Sequence, residues 1–242
     1  MPDSPVAESQ VDTPKPPPSR ARRVIQVLLS MGVWIAAVFL SAGRLDWTRG
    51  WICVTAYVLT MLAAGILIRL KNPSLMEARA RLRRKDTKPF DKIILSVYVP
   101  LSFFQPALAG LDAARFHWSS MPFATVYVGL VVFELSMALI TWVMMVNPFA
   151  ESTVRIQTDR NHRPISTGPY RFIRHPMYAG AMLMYPACAL MLGSLWALAL
   201  SGVIATLFVL RTALEDQTLR RELPGYEEFA AATRYRLIPG VW

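Results

Sequence analysis

The sequence predicts an all-α, polytopic integral membrane protein with about six transmembrane helices, the last two of which form a helical hairpin. Three observations lead to this fold class. The chain of 242 residues is 54% hydrophobic and carries only 17% charged residues, whereas soluble domains average about 25% charged residues. Its apolar residues are collected into long runs separated by short polar segments. Its basic residues lie almost entirely on alternate segments between these runs.

Five apolar runs are long enough to cross a bilayer, which takes about 20 mostly apolar residues per helix. The first four are Val24–Ala42, Trp51–Leu70, Lys92–Leu111 and Pro122–Val146. The fifth runs from Met177 to Arg211, and its length of about 35 residues is too great for one pass. The "LGSL" stretch at Leu192–Leu195 lies in its middle and predicts a tight turn between two crossings.

The chain divides into three regions on this pattern. Residues 1–22 are rich in proline and polar residues and cannot bury enough apolar surface to fold, so we expect a disordered tail there. Residues 23–146 are predicted to form a four-helix transmembrane region. Residues 147–242 contain the hairpin and the two most polar segments, and we expect any chemistry to lie in them.

The distribution of positive charge predicts the orientation of the helices. Cytoplasmic loops of membrane proteins carry an excess of lysine and arginine. If the N-terminus is cytoplasmic, all of the 26 basic residues except Arg44, Arg49 and Arg115 fall on the cytoplasmic side. Both termini and residues 147–176 are then cytoplasmic. The net charge of +10 is therefore explained by orientation and by contact with membrane lipids, and it does not indicate nucleic-acid binding.

Some polar residues within the apolar part of the sequence carry no clear chemistry. Cys53 and Cys188 lie in apolar runs without neighbouring Cys or His, so neither a disulfide framework nor a metal site is expected. Glu134 is mid-span in the fourth run, where an ionisable group is costly. It either bonds to another helix or contacts an acceptor tunnel. The basic segment 69–92 fixes topology or gates a substrate.

The stretch "GPYRFIRHPMYAG", Gly168–Gly180, stands at the mouth of the fifth crossing. Gly168-Pro169 is a turn signal, and Pro176 favours the first position of a helix. The first turn of that helix offers free N–H groups to an anion, with Arg171, Arg174 and His175 around it. Gly180 leaves a bare helix face for a ligand or another backbone, and Tyr170 and Tyr178 add aromatic walls. The alternative is an orienting anchor followed by a proline-initiated helix.

A second polar group of residues follows the sixth crossing. Arg211 and Glu215 are four residues apart on the emerging helix, and Asp216 adjoins them. Residues at this spacing face each other on a helix, so one interpretation is a structural ion pair between Arg211 and Glu215. Alternatively, the carboxylates bind ribose hydroxyls or a cationic group of a ligand.

Taken together, these residues resemble the G-x-Y…R-H-P-x-Y-x-G motif of the isoprenylcysteine carboxyl methyltransferase family and its phospholipid methyltransferase relatives. That family continues with a helical hairpin, an arginine, an acidic pair, a G-x-x-Y step and a terminal proline after a basic residue. This chain has Arg211, Glu215-Asp216, "GYEEF" and "RYRLIP" in that order. The resemblance covers residues 147–242. It departs from the family in Asp216, where the pair is usually Glu-Glu, and in Phe229, which replaces the tyrosine.

The resemblance implies a methyltransferase that uses S-adenosylmethionine and needs no metal. Carried over by position, Arg211 and Glu215 are the implied catalytic residues. The implied cofactor-binding residues are His162, Gly168, Tyr170, Arg174, His175, Pro176, Tyr178, Gly180, Glu215 and Asp216. The methyl acceptor is a lipophilic or small carboxylate, amine or thiol, with Arg211 orienting an acceptor that is anionic. Neither the acceptor nor the oligomeric state follows from the sequence.

Two other classes remain open at this point. Sterol reductases of the delta-14 type share an R-H-P-x-Y-like motif and use NADPH, but they are longer and have more crossings. The acidic Glu215-Asp216 pair favours the methyltransferase. A non-enzymatic membrane scaffold explains the topology and leaves the two motifs unexplained.

Overall fold

The computed structural model describes residues 19–80 and 86–242, so the predicted disordered tail, except for its last four residues, and part of the basic segment lie outside it. Regular structure in these ranges is helical. The α-helices are α1 (Arg20–Ala42), α2 (Thr48–Lys71), α3 (Pro73–Arg79), α4 (Pro89–Ala109), α5 (Thr125–Val146), α6 (Pro176–Leu192), α7 (Leu195–Glu222) and α8 (Tyr226–Ala232). A π-helical stretch, Gly110–Phe116, prolongs α4.

The predicted all-α membrane architecture is confirmed. Among the described residues, 5 helices are long and apolar enough to cross a membrane, namely α1, α2, α4 with its π-helical extension, α5 and α7. The predicted fifth crossing corresponds to α6, which is apolar but has only 17 residues. At 1.5 Å per residue α6 is about 26 Å long, the short limit of a transmembrane helix.

The helical hairpin turns where the sequence predicts it. Gly193 ends α6 in the left-handed conformation, with φ of 78°, which glycine adopts without steric cost. Ser194 then caps α7, and its side chain accepts a hydrogen bond from the Ala197 N–H. Helix α7 continues to Glu222, well past Arg211, where we predicted the crossing to end. No helix breaker occurs before Pro224, so the polar residues 211–222 extend the same helix beyond its apolar part.

Helices α5 and α6 pack closely because small residues face each other between them. A Cβ added to Gly129 would lie 2.7 Å from the Ala187 carbonyl oxygen. One added to Gly180 would lie 2.7 Å from Cγ1 of Ile140 and 3.2 Å from the Ser136 carbonyl oxygen. The Ser136 hydroxyl donates to the Gly180 carbonyl at 2.9 Å. This pairing brings the start of α6 against the end of α5.

The two ends of the bundle are held by different polar residues. At the hairpin end, the Arg49 guanidinium donates to the Leu190, Met191 and Met121 carbonyls. The buried Asp112 accepts from Ser119 and Ser194 at the same end. The opposite end carries α3, α8 and the segment 147–175, all predicted to be cytoplasmic. That end contains most of the buried charges and the site described next.

Candidate functional site

A cleft of about 750 Å³, including its open mouth, lies at the end of the bundle opposite the hairpin turn. Its walls are the segment 147–165, the first turn of α6, the polar end of α7, and α8. Six predicted site residues line it: His162, Tyr170, Arg174, His175, Tyr178 and Glu215. Residues far apart in sequence therefore meet where the two motifs predicted a ligand.

The Gly168–Gly180 stretch is folded against the C-terminal segment. Gly168 has a positive φ of 59° and starts a short 3-10 helix. After it, the Arg174 N–H donates to the Tyr235 carbonyl and the His175 N–H to the Arg236 carbonyl, each at 2.9 Å. Pro176 is the first residue of α6, as predicted. The backbone of residues 174–175 thus pairs with residues 235–236, which fixes the Arg174 and His175 side chains at the cleft.

Asp216 is the centre of a buried network at the floor of the cleft. Its carboxylate is fully buried and accepts from Arg174 Nε at 2.7 Å, Arg236 Nε at 2.9 Å and the Tyr226 hydroxyl at 3.0 Å. His175 Nε2 and Arg220 Nε lie at 3.4 and 3.3 Å. One carboxylate has room for about four hydrogen bonds, so Asp216 is saturated by protein. Asp216 itself does not line the cleft, but its hydrogen bonds fix the lining residues Arg174 and Tyr226.

Arg174 is nearly saturated as well. Besides Asp216, its Nη1 donates to the Thr233 and Arg234 carbonyls at 2.8 and 2.7 Å. Four of its five N–H groups are therefore used by the protein, since Nη2 also reaches Asp216 at 3.3 Å. The remaining Nη2 N–H is what Arg174 can offer to a ligand in the cleft.

Tyr178 and Glu215 form the second polar part of the wall. The Tyr178 hydroxyl donates to Glu215 Oε2, and the Tyr178 ring is parallel to that of His175, with centroids 5.8 Å apart. The Arg211 guanidinium lies over the same Tyr178 ring, with its Cζ 5.1 Å from the ring centroid. Arg211 is bound to Asp91 by Nε at 2.8 Å and to the Ser152 carbonyl by Nη2 at 2.9 Å. Glu215 faces the cleft, and Arg211 lies beneath it.

The segment 147–165 supplies the opposite wall, in which aromatic and neutral side chains lie beside charged ones. His162 lies against Phe149, with ring centroids 4.7 Å apart. Burial and the cations Arg155 and Arg160 lower the pKa of His162 to about 4, so the imidazole is neutral at pH 7. The Tyr170 hydroxyl accepts from Asn147 at 2.6 Å. Burial raises the pKa of Tyr170, so its own proton remains available to a ligand.

Five of the predicted site residues do not line the cleft: Gly168, Pro176, Gly180, Arg211 and Asp216. Gly180 faces α5, and Gly168 lies next to Trp142 and Val146, so both glycines serve helix packing. Arg171, predicted beside the anion site, is exposed. The first turn of α6 also offers fewer donors than expected, because Tyr178 and Ala179 N–H groups both donate to the His175 carbonyl and Pro176 has no N–H.

Sequence reasoning missed the cleft wall that precedes the motif. Glu151, Arg155 and Gln157 are buried and line the cleft. Arg155 donates to both Glu151 oxygens at 3.0 Å and to Asp159 and Asp86 at 2.8 Å. Burial lowers the pKa of Arg155, but hydrogen bonds to Glu151 and Asp159 outweigh it and the pKa rises. The apolar residues of this segment follow neither helical nor strand periodicity. Only the density of charged residues beside aromatic ones could have indicated a wall of the site.

The described part of the chain contains no group of three or more His, Cys, Asp and Glu residues that could hold a metal ion. Glu134 accepts a hydrogen bond from Thr60 of α2 at 2.8 Å. This contact corresponds to the helix-bonding alternative of the two considered for Glu134.

A family model described as phospholipid methyltransferase matches residues 124–224. This segment runs from the start of α5 to just past α7, so the "GYEEF" and "RYRLIP" stretches lie beyond it. It includes the Gly168–Gly180 stretch and all eleven predicted site residues: His162, Gly168, Tyr170, Arg174, His175, Pro176, Tyr178, Gly180, Arg211, Glu215 and Asp216. The resemblance to phospholipid methyltransferases is confirmed for residues 147–224, where the match overlaps the predicted region. No curated protein matches the chain. The match supports a membrane methyltransferase in general and gives no support to the reductase alternative.

Proposed function

We propose that the chain is an integral membrane methyltransferase that binds S-adenosylmethionine in the cleft between α6, α7, α8 and the segment 147–165. The cleft faces the cytoplasm, as do both termini, and the acceptor is a lipophilic or small carboxylate, amine or thiol. The observation that carries the proposal is that His162, Tyr170, Arg174, His175, Tyr178 and Glu215 line one cleft. They come from separate parts of the segment that matches the phospholipid methyltransferase family.

The residues of the cleft suit the functional groups of such a cofactor. Glu215 is a carboxylate for an ammonium group or for ribose hydroxyls. The Tyr170 hydroxyl and the remaining Arg174 N–H are donors for a carboxylate. Phe149, Phe229 and the ring of His162 give the flat apolar surfaces that an adenine ring needs. Gly168, Pro176, Gly180 and Asp216 then act on the cofactor through the side chains that they position.

The chemistry of methyl transfer asks mainly for alignment in a site where water is sparse. When bound, the cofactor supplies a methyl group attached to a positively charged sulfur. The Asp216 network fixes Arg174, His175 and Tyr226, so the cleft does not need to reorganise when ligands bind. Glu215 is positioned by Tyr178. It is the carboxylate to which an amine or thiol acceptor loses its proton, whereas a carboxylate acceptor needs no base.

The position of Arg211 bears on how an acceptor binds. Nε and one Nη2 N–H of Arg211 are used by Asp91 and Ser152. Its other N–H groups remain available to an anionic acceptor that approaches from the bilayer side of Tyr178. If an Arg211→Ala variant lost cofactor affinity and kept its affinity for the acceptor, this role for Arg211 would be wrong.

The test is calorimetry on the purified protein in detergent, with S-adenosylhomocysteine and NADPH titrated separately. We expect S-adenosylhomocysteine to bind and NADPH not to bind. In Glu215→Gln the Kd should rise by about tenfold or more, the effect of losing a hydrogen bond to a charged group. Glu134→Gln, the same chemical change at mid-span, is the matched control and should bind as the wild type does.

The outcomes separate the alternatives. Binding of NADPH alone would replace the methyltransferase with the reductase. If a folded protein bound neither ligand, the result would favour the non-enzymatic membrane scaffold. Gly180→Leu is a poor probe of this site, because its side chain would enter the α5–α6 contact at Ile140.

A further inference from the structure

A fully buried carboxylate, Asp91, lies in the first turn of α4. It is outside the segment that matches the methyltransferase family, which begins at residue 124. One oxygen of Asp91 accepts from Arg211 Nε at 2.8 Å. The other accepts from the Val154 N–H at 2.7 Å. Asp91 therefore touches α7 and the wall of the cleft from a part of the chain to which no function has been assigned.

The partner of Arg211 is not the one that the sequence spacing favours. Arg211 and Glu215 are four residues apart on α7, so their side chains can reach each other. In the structure Arg211 pairs with Asp91, and Glu215 accepts from the Tyr178 hydroxyl. Two carboxylates thus lie within reach of one buried arginine, and Arg211 pairs with the one that does not line the cleft.

A buried guanidinium needs an anion, because an unpaired charge in the interior is strongly unfavourable. The Arg211 side chain is 7% exposed. Without the Asp91 charge, the remaining carboxylate within reach of Arg211 is that of Glu215, four residues further along the same face of α7. Arg211 would turn to it, and Glu215 would be drawn out of the cleft and away from Tyr178.

We propose that Asp91 is a positioning residue that pairs with Arg211 and so keeps the Glu215 carboxylate free to bind the cofactor. This inference rests on the proposed function, in which Glu215 contacts S-adenosylmethionine. It also assigns a role to the N-terminal half of the chain, which contributes the anion that sets the charge arrangement of a site otherwise built by α6, α7, α8 and the segment 147–165.

A second contact of the same turn reinforces the proposal. The Lys88 N–H donates to the Val154 carbonyl at 3.0 Å, so both backbone groups of Val154 are held by the start of α4. Val154 lines the cleft. The start of α4 thus fixes the wall opposite Glu215 as well as the partner of Arg211.

The experiment compares S-adenosylhomocysteine binding by calorimetry in wild type, Asp91→Asn, Asp112→Asn and the double variant Asp91→Asn/Arg211→Met. Asp91→Asn keeps the shape and removes the charge, and its Kd should rise by about tenfold or more, as for direct loss of a charged hydrogen bond. Asp112 is equally buried at the hairpin end. Its Asn variant should lose thermal stability and keep the wild-type Kd.

The double variant tests the mechanism. Removing the arginine removes the group that would capture Glu215, so the Kd should return to within about threefold of wild type, a difference below 1 kcal/mol. An unchanged Kd in folded Asp91→Asn would overturn the proposal, and so would a double variant that binds no better than Asp91→Asn. Failure of the wild type to bind S-adenosylhomocysteine would instead refute the proposed function.

Discussion

The Asp216 network yields a quantitative prediction about stability. In Asp216→Asn, the side chain keeps its size but loses the charge that compensates Arg174, whose side chain is 4% exposed. Breaking a buried ion pair by removing one partner costs about 3–5 kcal/mol. At about 2–4 °C per kcal/mol for a chain of this size, the apparent Tm should fall by about 6–20 °C.

The matched control is another member of the same network that is more exposed. The Arg220 side chain is 33% exposed and its Nε lies 3.3 Å from Asp216. Exposed pairs contribute about 0–1 kcal/mol, so Arg220→Gln should lower the Tm by no more than about 4 °C. A dye that fluoresces on reaction with thiols suits the assay, because Cys53 and Cys188 are both buried and react only on unfolding.

The comparison of the two variants decides whether the reasoning is right. An Asp216→Asn protein that melts within about 2 °C of the wild type, or no lower than Arg220→Gln, would show that the carboxylate does not hold the C-terminal segment. A large loss of stability with an unchanged Kd for S-adenosylhomocysteine would confine Asp216 to a structural role. Both quantities are measured on the same detergent preparation.

Three further predictions concern packing, pH and orientation. Gly129→Ala should destabilise the protein by about 1–3 kcal/mol, because the new Cβ would lie 2.7 Å from a backbone carbonyl oxygen. The control is Gly202→Ala, whose Cβ would meet nothing within 4 Å. It should be neutral or stabilising in the same thermal assay. Because the pKa of His162 is lowered to about 4 from 6.5, the unfolded chain binds more protons between these values, so stability should fall as the pH drops from 6.5 toward 4. At pH 5 this loss is about 1 kcal/mol, and it should be absent from His162→Gln melted in the same buffers. A membrane-impermeant thiol reagent should label His117→Cys in intact cells and should label Arg171→Cys only after lysis; the reverse pattern would contradict the predicted orientation.

The helix boundaries followed from local chemistry, which explains why the sequence predicted them well. Pro176 marks the start of α6, and Gly193 with Ser194 marks the hairpin turn, because each of these residues acts through its own backbone or cap. The sequence predicts that the apolar crossing ends at Arg211 and places Glu215 on the emerging helix, and in the structure α7 continues to Glu222. Polar residues without a breaker continue a helix, and here they bring Glu215 and Asp216 to the cleft.

The partners within the site could not be predicted in the same way. Asp216 binds Arg174 and Arg236, and Arg211 binds Asp91, at separations of 42, 20 and 120 residues. A pattern of residue types places such groups near a site but does not say which cation meets which anion. For the same reason the direction of Gly180 was open, since a bare helix face serves a ligand and a neighbouring helix equally well.

The basic residues at the end of the bundle that carries the cleft include two groups with different physical roles. Arg155, Arg174 and Arg211 are buried and paired with carboxylates. Arg171, Arg221 and Arg234 are exposed. The positive-inside rule counts both groups alike, but only the exposed arginines remain free to interact with anionic lipid headgroups after folding. Neutralising the exposed group should therefore weaken lipid contact and leave the cleft intact, whereas neutralising a buried member removes an ion-pair partner from a buried carboxylate of the site.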